Sequence, residues 1–319
     1  MTHDNARSLG TVFYYPRHAG PRDLVTITRD LADGPFDHLF LTETYTEIFT
    51  TAAAMVEAAG DRITLGTAVS NIYFHHPYEM AMAVANLAHL TGGRFVLGLG
   101  TGHQEVNVAG LGLDMTKPVT YMREYLEVLG ACLRSQGEPV DITRTNFQVT
   151  GLTLPWGKEE AAQVPVILGV LGDPMTKLAA QAASGVVLSH ATPQRVRQVR
   201  ELLGPDARIY AIINVVVDDS RDRGRERIRP FVSRYTRFPF YRALYERSGV
   251  TVEPDGSIGD DGLDQLAIAG PTSYVRERVE EFCEAGVDIP ILSPAGALDP
   301  QGTEDLRRTY DAFSTAIAG

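Results

Sequence analysis

The chain has 319 residues, 44% hydrophobic and 22% charged, the make-up of an ordinary globular protein. Its formal net charge is −11 and no Lys/Arg block offers a phosphate-tracking face, which argues against nucleic acid as a partner. No apolar run approaches the roughly 18 residues of a membrane span, and Met1 to Gly10 lacks a signal peptide's apolar core, so a cytoplasmic location is expected.

Strand-like runs and helical patterns alternate along the chain. Leu9–Tyr14, His38–Leu41 and Ile63–Val69 read as the first three strands. Pro77 opens the helix that leads to the fourth, Phe95–Leu99. That strand is apolar on both faces, as strands buried in a parallel sheet are. Gly98, Gly100 and Gly102 leave room for a flat ligand to approach its backbone. Thr101, His103, Gln104 and Glu105 bring polar groups to the same place. His103 to Lys117 reads as a long loop. Pro118 then opens a helix in which Met122, Leu126, Leu129 and Leu133 repeat at helical spacing. Asp141 to Gln163 carries Gly151, Pro155 and Gly157 and reads as a small hairpin extension.

Val164–Leu168 and Gly185–Leu188 read as the fifth and sixth strands, with Pro174 opening the helix between them. Pro193 opens a helix patterned by Val196, Val199 and Leu203, and Arg208–Val216 reads as the seventh strand. Asp218 to Gly262 is the largest insertion. Its first half is helical and arginine-rich, and Glu253 to Gly262 is loop-like. Pro271 opens a helix patterned by Val275, Val279 and Phe282; Gly286 stops it before the eighth strand, Val287–Leu292. Cys132 and Cys283 lie in separate helical patterns and read as two buried thiols in a reducing compartment. Eight strands alternating with helices predict an α/β fold. The expected form is a single (β/α)8 TIM barrel over 1–319, with insertions after strands four and seven at about 141–163 and 218–262. A doubly wound sheet is the alternative. In the barrel, the polar residues after the fourth strand lie at the end where active sites form.

Several segments in order resemble one family. They are Leu65-Gly66-Thr67-Ala68-Val69-Ser70-Asn71, Gly93-Arg94-Phe95 with Gly98 through Gly102, and Gly112 through Val119 with Met122-Arg123-Glu124. Pro165 through Gly169 with Gly172, Ala179 through Gly185, and Gly286-Val287-Asp288 with Ser293-Pro294 complete the set. Together they resemble the bacterial luciferase-like superfamily of flavin and deazaflavin enzymes. Within it the likeness is to the coenzyme F420-dependent branch, typified by methylene-tetrahydromethanopterin reductase. It spans nearly the whole chain.

The resemblance implies a cis peptide at Ala68-Val69, in a third-strand bulge that backs the cofactor ring. It implies ring contacts for Glu43, Ala68, Val69, Asn71, Thr101, Gly102 and His103. It implies that Gly169, Val170, Leu171 and Gly172 offer backbone N–H groups to the cofactor phosphate, beside the helix that opens at Asp173-Pro174. The same four residues also fit a plain strand-to-helix turn. Coenzyme F420 is the implied cofactor, with FMN as the alternative.

The chain also departs from the family. Glu43-Thr44 stands where relatives show an Asp-His or Glu-His pair, so Glu43 or Tyr45 is the protonatable group left there. Val12, followed by Phe13, Tyr14 and Tyr15, stands where the reductases carry an acid. His103 stands where relatives often have one. The reductases' substrate is therefore not carried over.

His103 reads as a general acid/base or hydrogen-bond donor, or else as a loop histidine facing water. Glu43 reads as a catalytic or cofactor-binding carboxylate, or as a charge bonding the next helix's N-terminus. His75 and His76 lack a metal-ligand set and read as capping or surface residues. Glu105 and Asn107 read as orienting the loop. Arg234 to Arg242 mixes bases with aromatics and fits a pocket lining or lid, a subunit interface, or an amphipathic helix. Phe13, Tyr14, Tyr15, Tyr73 and Phe74 fit either a ring-stacking wall or core. The expected function is hydride transfer between F420 and a small organic substrate, in a homodimer with no metal. An FMN-dependent monooxygenase and a non-catalytic flavin-binding barrel are the rivals.

Overall fold

The computed structural model describes residues 8–13, 20–43, 47–156, 158–294 and 302–314. Eight parallel strands close a barrel: β1 Gly10–Phe13, β2 His38–Leu41, β3 Thr64–Thr67, β4 Phe95–Gly100, β5 Val166–Gly169, β6 Gly185–Ser189, β7 Arg208–Val217 and β8 Ile289–Pro294. Each pairs with the next, and β8 returns to β1 through Gly10↔Ile291. The expected (β/α)8 barrel is the fold. Residue alternation explains the unbroken apolar runs. Val12, Phe40, Val96, Ile167, Val187, Ile212 and Ile291 fill the barrel interior. Their neighbours Leu39, Leu65, Leu97, Leu168, Val186, Ile213 and Leu292 pack outward against the helices. Both faces are buried, so neither face of a strand is polar.

Pro77, Pro118 and Pro193 are first residues of their helices, where a missing N–H leaves no bond unmade. Pro174 is second, and Pro271 stands one residue outside, as the N-cap of Thr272–Glu284. The segment after the fourth-strand helix forms the hairpin Val140–Thr143 with Gln148–Leu152, followed by helix Lys158–Gln163.

Three expectations need correction. The loop His103 to Lys117 contains a π-helical turn, Glu105–Gly110. The stretch from Glu253 to Gly262 is loop only to Gly259, because helix Asp260–Leu266 begins there. An unexpected strand, Ala267–Gly270, follows it. β7 is long: its first half, Arg208 to Ile212, pairs with β6, and its overhang, Asn214 to Val217, pairs with Ala267–Gly270. The strand anchors the insertion, whose helices Arg221–Tyr235 and Pro239–Arg247 share a small core of Ile228, Phe231, Val232, Leu244 and Leu263.

Cys132 is buried, which pushes its thiol up to about 11, and Cys283 is partly exposed. Among the described residues no helix is long and apolar enough to cross a membrane.

Candidate active site

β3 breaks at Thr67, and the following Ala68-Val69 peptide is cis, as the resemblance implies. The chain then pairs again, Ser70–Asn71 lying along Leu99–Gly100 of β4. Thr67 holds the break in place. Its Oγ1 donates to the Gly98 carbonyl at 2.7 Å and accepts from the Gly98 N–H at 2.9 Å. The bulge turns the Val69 side chain over β4 and β5. A Cβ on Gly100 would lie 2.2 Å from Val69 Cγ2, and one on Gly169 would lie 3.2 Å from Val69 Cγ1. Gly100 is therefore needed to seat Val69, and Gly169 gives it clearance that a Cβ would tighten. Gly102 needs its lack of Cβ for two reasons: φ is +64°, and a Cβ would lie 2.6 Å from Asn71 Nδ2.

Beneath this floor runs a polar network. Glu43, its side chain only 4% exposed, accepts from Ser70 Oγ and from the Asn71 N–H, both at 2.8 Å. Its other oxygen meets His75 Nε2 at 2.8 Å. Asn71 Nδ2 donates to Asn107 Oδ1 at 2.8 Å, and Asn107 Nδ2 donates to the Thr101 carbonyl at 2.8 Å. The structure thus joins Glu43, Asn71 and Thr101 through the buried Asn107. Capping of the next helix belongs to Glu47, which accepts from the Phe49 and Thr50 N–H groups. Thr44 and Tyr45 lie outside the described residues.

The imidazole missing after Glu43 comes from elsewhere in the chain. His75 is the helix-proximal residue expected at the surface, yet it bridges Glu43 and Glu79, the latter through Nδ1 at 3.0 Å. His76 alone caps, accepting from the Tyr78 N–H. Burial opposes a charge on His75, but the hydrogen bonds and charges of Glu43 and Glu79 outweigh it and raise its pKa. This ion pair adds stability in full below the unfolded value of about 6.5 and loses it as pH rises through the raised folded value. His75→Gln should therefore cost about 2 kcal/mol near pH 6 and clearly less near pH 9. Thermal melts at both pH values check this; an equal loss at each would mean the imidazole is uncharged.

His103 stands at the mouth under a roof supplied by the insertion. Its ring centroid lies 5.4 Å from that of Phe238 and 6.0 Å from that of Tyr241. Burial lowers its pKa; Glu105 opposes and Arg234 assists, so it is neutral at pH 7. Three aromatics of the mixed segment, Tyr235, Phe238 and Tyr241, thus pack around His103 and His190, while Phe240 is exposed. The hydroxyl of Tyr241 bonds to Ser189, and His190 lies buried with Nδ1 2.8 Å from the Tyr245 hydroxyl. Burial drives His190 down to about 3.

Two further expectations change. Phe13 packs in the outer core, Tyr73 stacks on Tyr121 at 4.4 Å and Phe74 is exposed. Tyr14 and Tyr15 lie outside the described residues, so no ring-stacking wall forms among the described ones. In the candidate phosphate loop the Val170 N–H is not available, because it donates to the Val187 carbonyl. Leu171 accepts from Arg247 through its carbonyl at 3.3 Å. Gly172 begins helix Asp173–Ala182 as an N-cap with no side-chain cap, which leaves the first-turn amides for a ligand. Among the described residues no group of His, Cys, Asp or Glu could hold a metal ion.

Sequence spacing did not reveal His75 or Asn107 as partners. His75 is 32 residues from Glu43 and Asn107 is 36 from Asn71, and only the closed barrel brings them together.

Known proteins share this fold. A Mycobacterium tuberculosis protein, provisionally described as a coenzyme F420-dependent oxidoreductase, is 26% identical, covering 87% of this chain and 92% of its own. The F420-dependent tetrahydromethanopterin reductase of Methanopyrus kandleri superposes with a TM-score of 0.79 at 20% identity, over 94% of this chain and 99% of its own. The oxygenating constituent of 3,6-diketocamphane monooxygenase from Pseudomonas putida, solved with FMN, superposes at 0.75 with 14% identity, over 97% and 98%. The profile of the luciferase-like monooxygenase family matches residues 4–289, and the chain belongs to that family.

Proposed function

We propose that this chain is an oxidoreductase that binds coenzyme F420 at the barrel mouth and moves hydride between it and a small organic substrate. The observation that carries this reading is the Val69 platform. Gly100 and Gly169 make room for the Val69 side chain and Gly102 makes room for Asn71, beside a floor fixed by the buried Glu43 network. A flat ring fits such a surface. Bound there, the cofactor would supply two-electron hydride chemistry. The protein's part is to bind, orient and exclude water. Val69 and Gly102 would bear on the ring, and Thr101 would lie at its edge. His103 holds a free-base imidazole that can take up or return a proton at nitrogen. Phe238 and Tyr241 pack against that imidazole. The first-turn amides after Gly172 suit a phosphate.

The name of the Mycobacterium relative supports F420, and the Pseudomonas neighbour supports FMN with oxygen as a second reading. Purified protein titrated with each cofactor, with oxygen uptake recorded, separates them. Tighter F420 binding without oxygen use is expected; tighter FMN binding with oxygen uptake would establish the monooxygenase.

Gly172→Val tests the phosphate site. Gly172 is extended, with φ −126° and ψ 158°, and an added Cβ meets only Pro174 Cδ at 3.8 Å. The barrel accepts valine, but the branched side chain covers the amides. Cofactor affinity should fall about tenfold or more with the melting temperature unchanged. Unaltered affinity would put the phosphate elsewhere.

A further inference from the structure

The wall of the barrel opposite Val69 holds two polar side chains with no partner among the described residues. Asn214 on β7 and Ser293 on β8 are register neighbours across the strand pair. Alternation places them inward. Tyr210 and Ile212 on β7, and Ile289 and Ile291 on β8, belong to the barrel interior, while Ile213 and Leu292 pack outward. Asn214 and Ser293 are the next inward residues toward the strand C-termini, so they face the mouth. Both are fully buried. Among the described residues, neither Asn214 Nδ2, Asn214 Oδ1 nor Ser293 Oγ has a hydrogen-bond partner.

Two other polar groups in that layer are satisfied. Thr42 donates to the Phe13 carbonyl at 3.3 Å, and Ser189 bonds to Tyr241. A native protein rarely buries three polar atoms together without use for them. Their chemistry is specific. The carboxamide offers two N–H donors and an acceptor, and the hydroxyl offers one of each. No charge stands on either residue, so an ionised group would be desolvated there without a counter-charge.

Resting on the cofactor reading above, we propose that Asn214 and Ser293 form a neutral subsite in the barrel mouth. It receives an uncharged group that both accepts and donates hydrogen bonds, such as a carbonyl beside an N–H or O–H. Two sources carry that chemistry: the imide edge of the cofactor ring, or an amide or hydroxy-carbonyl on the substrate.

Asn214→Leu and Ser293→Ala test the subsite. Leucine keeps the volume and removes the orphaned polar atoms, so the ligand-free protein should melt about 2 °C higher. A structural role for Asn214 predicts a lower melting temperature instead. Affinity for F420, and for acetamide added to the F420-loaded protein, should then separate the sources. A loss of about tenfold or more in F420 affinity assigns the subsite to the ring. Unchanged F420 affinity with acetamide binding lost assigns it to the substrate. Ser293→Ala, a smaller change, should show the same loss more weakly if Asn214→Leu fails to fold. If both affinities are unchanged in both variants, the proposal is overturned. The same holds if crystals of the loaded protein soaked in acetamide show only ordered water on Asn214 and Ser293. If wild-type protein binds neither F420 nor FMN, the cofactor reading fails on its own. Acetamide titration of the unloaded protein then decides the subsite: loss in Asn214→Leu supports it, and no change rejects it.

Discussion

Gly98→Ala should be among the most damaging small substitutions in the barrel. A Cβ there would lie 2.0 Å from the Thr67 carbonyl oxygen and 3.0 Å from its carbon. The obstacle is backbone, in the neighbouring strand, and cannot rotate away. Thr67 Oγ1 also grips both the N–H and the carbonyl of Gly98, so moving the strands apart breaks two buried hydrogen bonds. Overpacking alone costs about 1–3 kcal/mol and an orphaned buried group about as much again. A loss of about 3 kcal/mol or more is expected, a large share of a typical domain's 5–15 kcal/mol. The melting temperature should drop by about 6 °C or more, and soluble yield with it. Gly100→Ala is the contrast. Its obstacle is the tip of Val69 at 2.2 Å, so the fold should survive while Val69 leaves the platform. Val69→Ala combined with Gly100→Ala should restore stability without restoring cofactor affinity. A near-normal melting temperature for Gly98→Ala would mean the β3–β4 spacing is not fixed at Thr67.

Much of the fold was legible because a closed parallel barrel buries both strand faces. Leu97 and Val96 point opposite ways yet both are buried, so a short unbroken apolar run marks a strand without alternation. Prolines and glycines at the helix ends supplied the punctuation. Ala267–Gly270 was not legible. It has three small residues and one isoleucine after an acidic helix and before a proline. It becomes a strand only because β7 extends beyond β6 and offers an open edge. That is a tertiary circumstance, and no local pattern encodes it. The π-helical turn Glu105–Gly110 is similar, ordered around Asn107, whose amide reaches back to Asn71 and Thr101.

The site was legible where the chain is contiguous. The bulge at Ala68-Val69 and the glycines of β4 stand in one run each, and the family resemblance located both. Groups that act across the barrel were hidden. Glu43 looked like an isolated acid because its imidazole, His75, arrives from beyond the bulge. Val170 looked like one more loop amide, but the β5–β6 ladder continues one residue farther and takes its N–H. Asn214 gave no signal, since one polar residue in an apolar strand reads as an edge or an end, and Ser293 entered only as part of the family resemblance, with no role attached.

His103→Ala should lower turnover about 10²-fold or more, the usual scale for a lost general acid or base. His103 follows the Gly102 turn and lies under Phe238 and Tyr241, where burial holds its pKa down. If the reaction needs the free base, activity should persist as pH falls past about 6.5 and fail only below the lowered value. Cofactor affinity should change much less than turnover, because the platform is built by Val69, Gly100 and Gly169. Glu43→Gln is the matched control. Glu43 already accepts from Ser70, Asn71 and His75, so its loss should loosen the bulge. That variant should bind cofactor more weakly and melt earlier, and should keep the turnover rate once saturated. Steady-state rates at saturating cofactor across pH separate the two roles. If His103→Ala keeps near-full turnover while saturated Glu43→Gln loses it, the proton passes through Glu43. If neither substitution lowers turnover, the protons come from solvent. A protein that binds the ring but turns over no substrate even in its wild-type form would instead be the non-catalytic barrel.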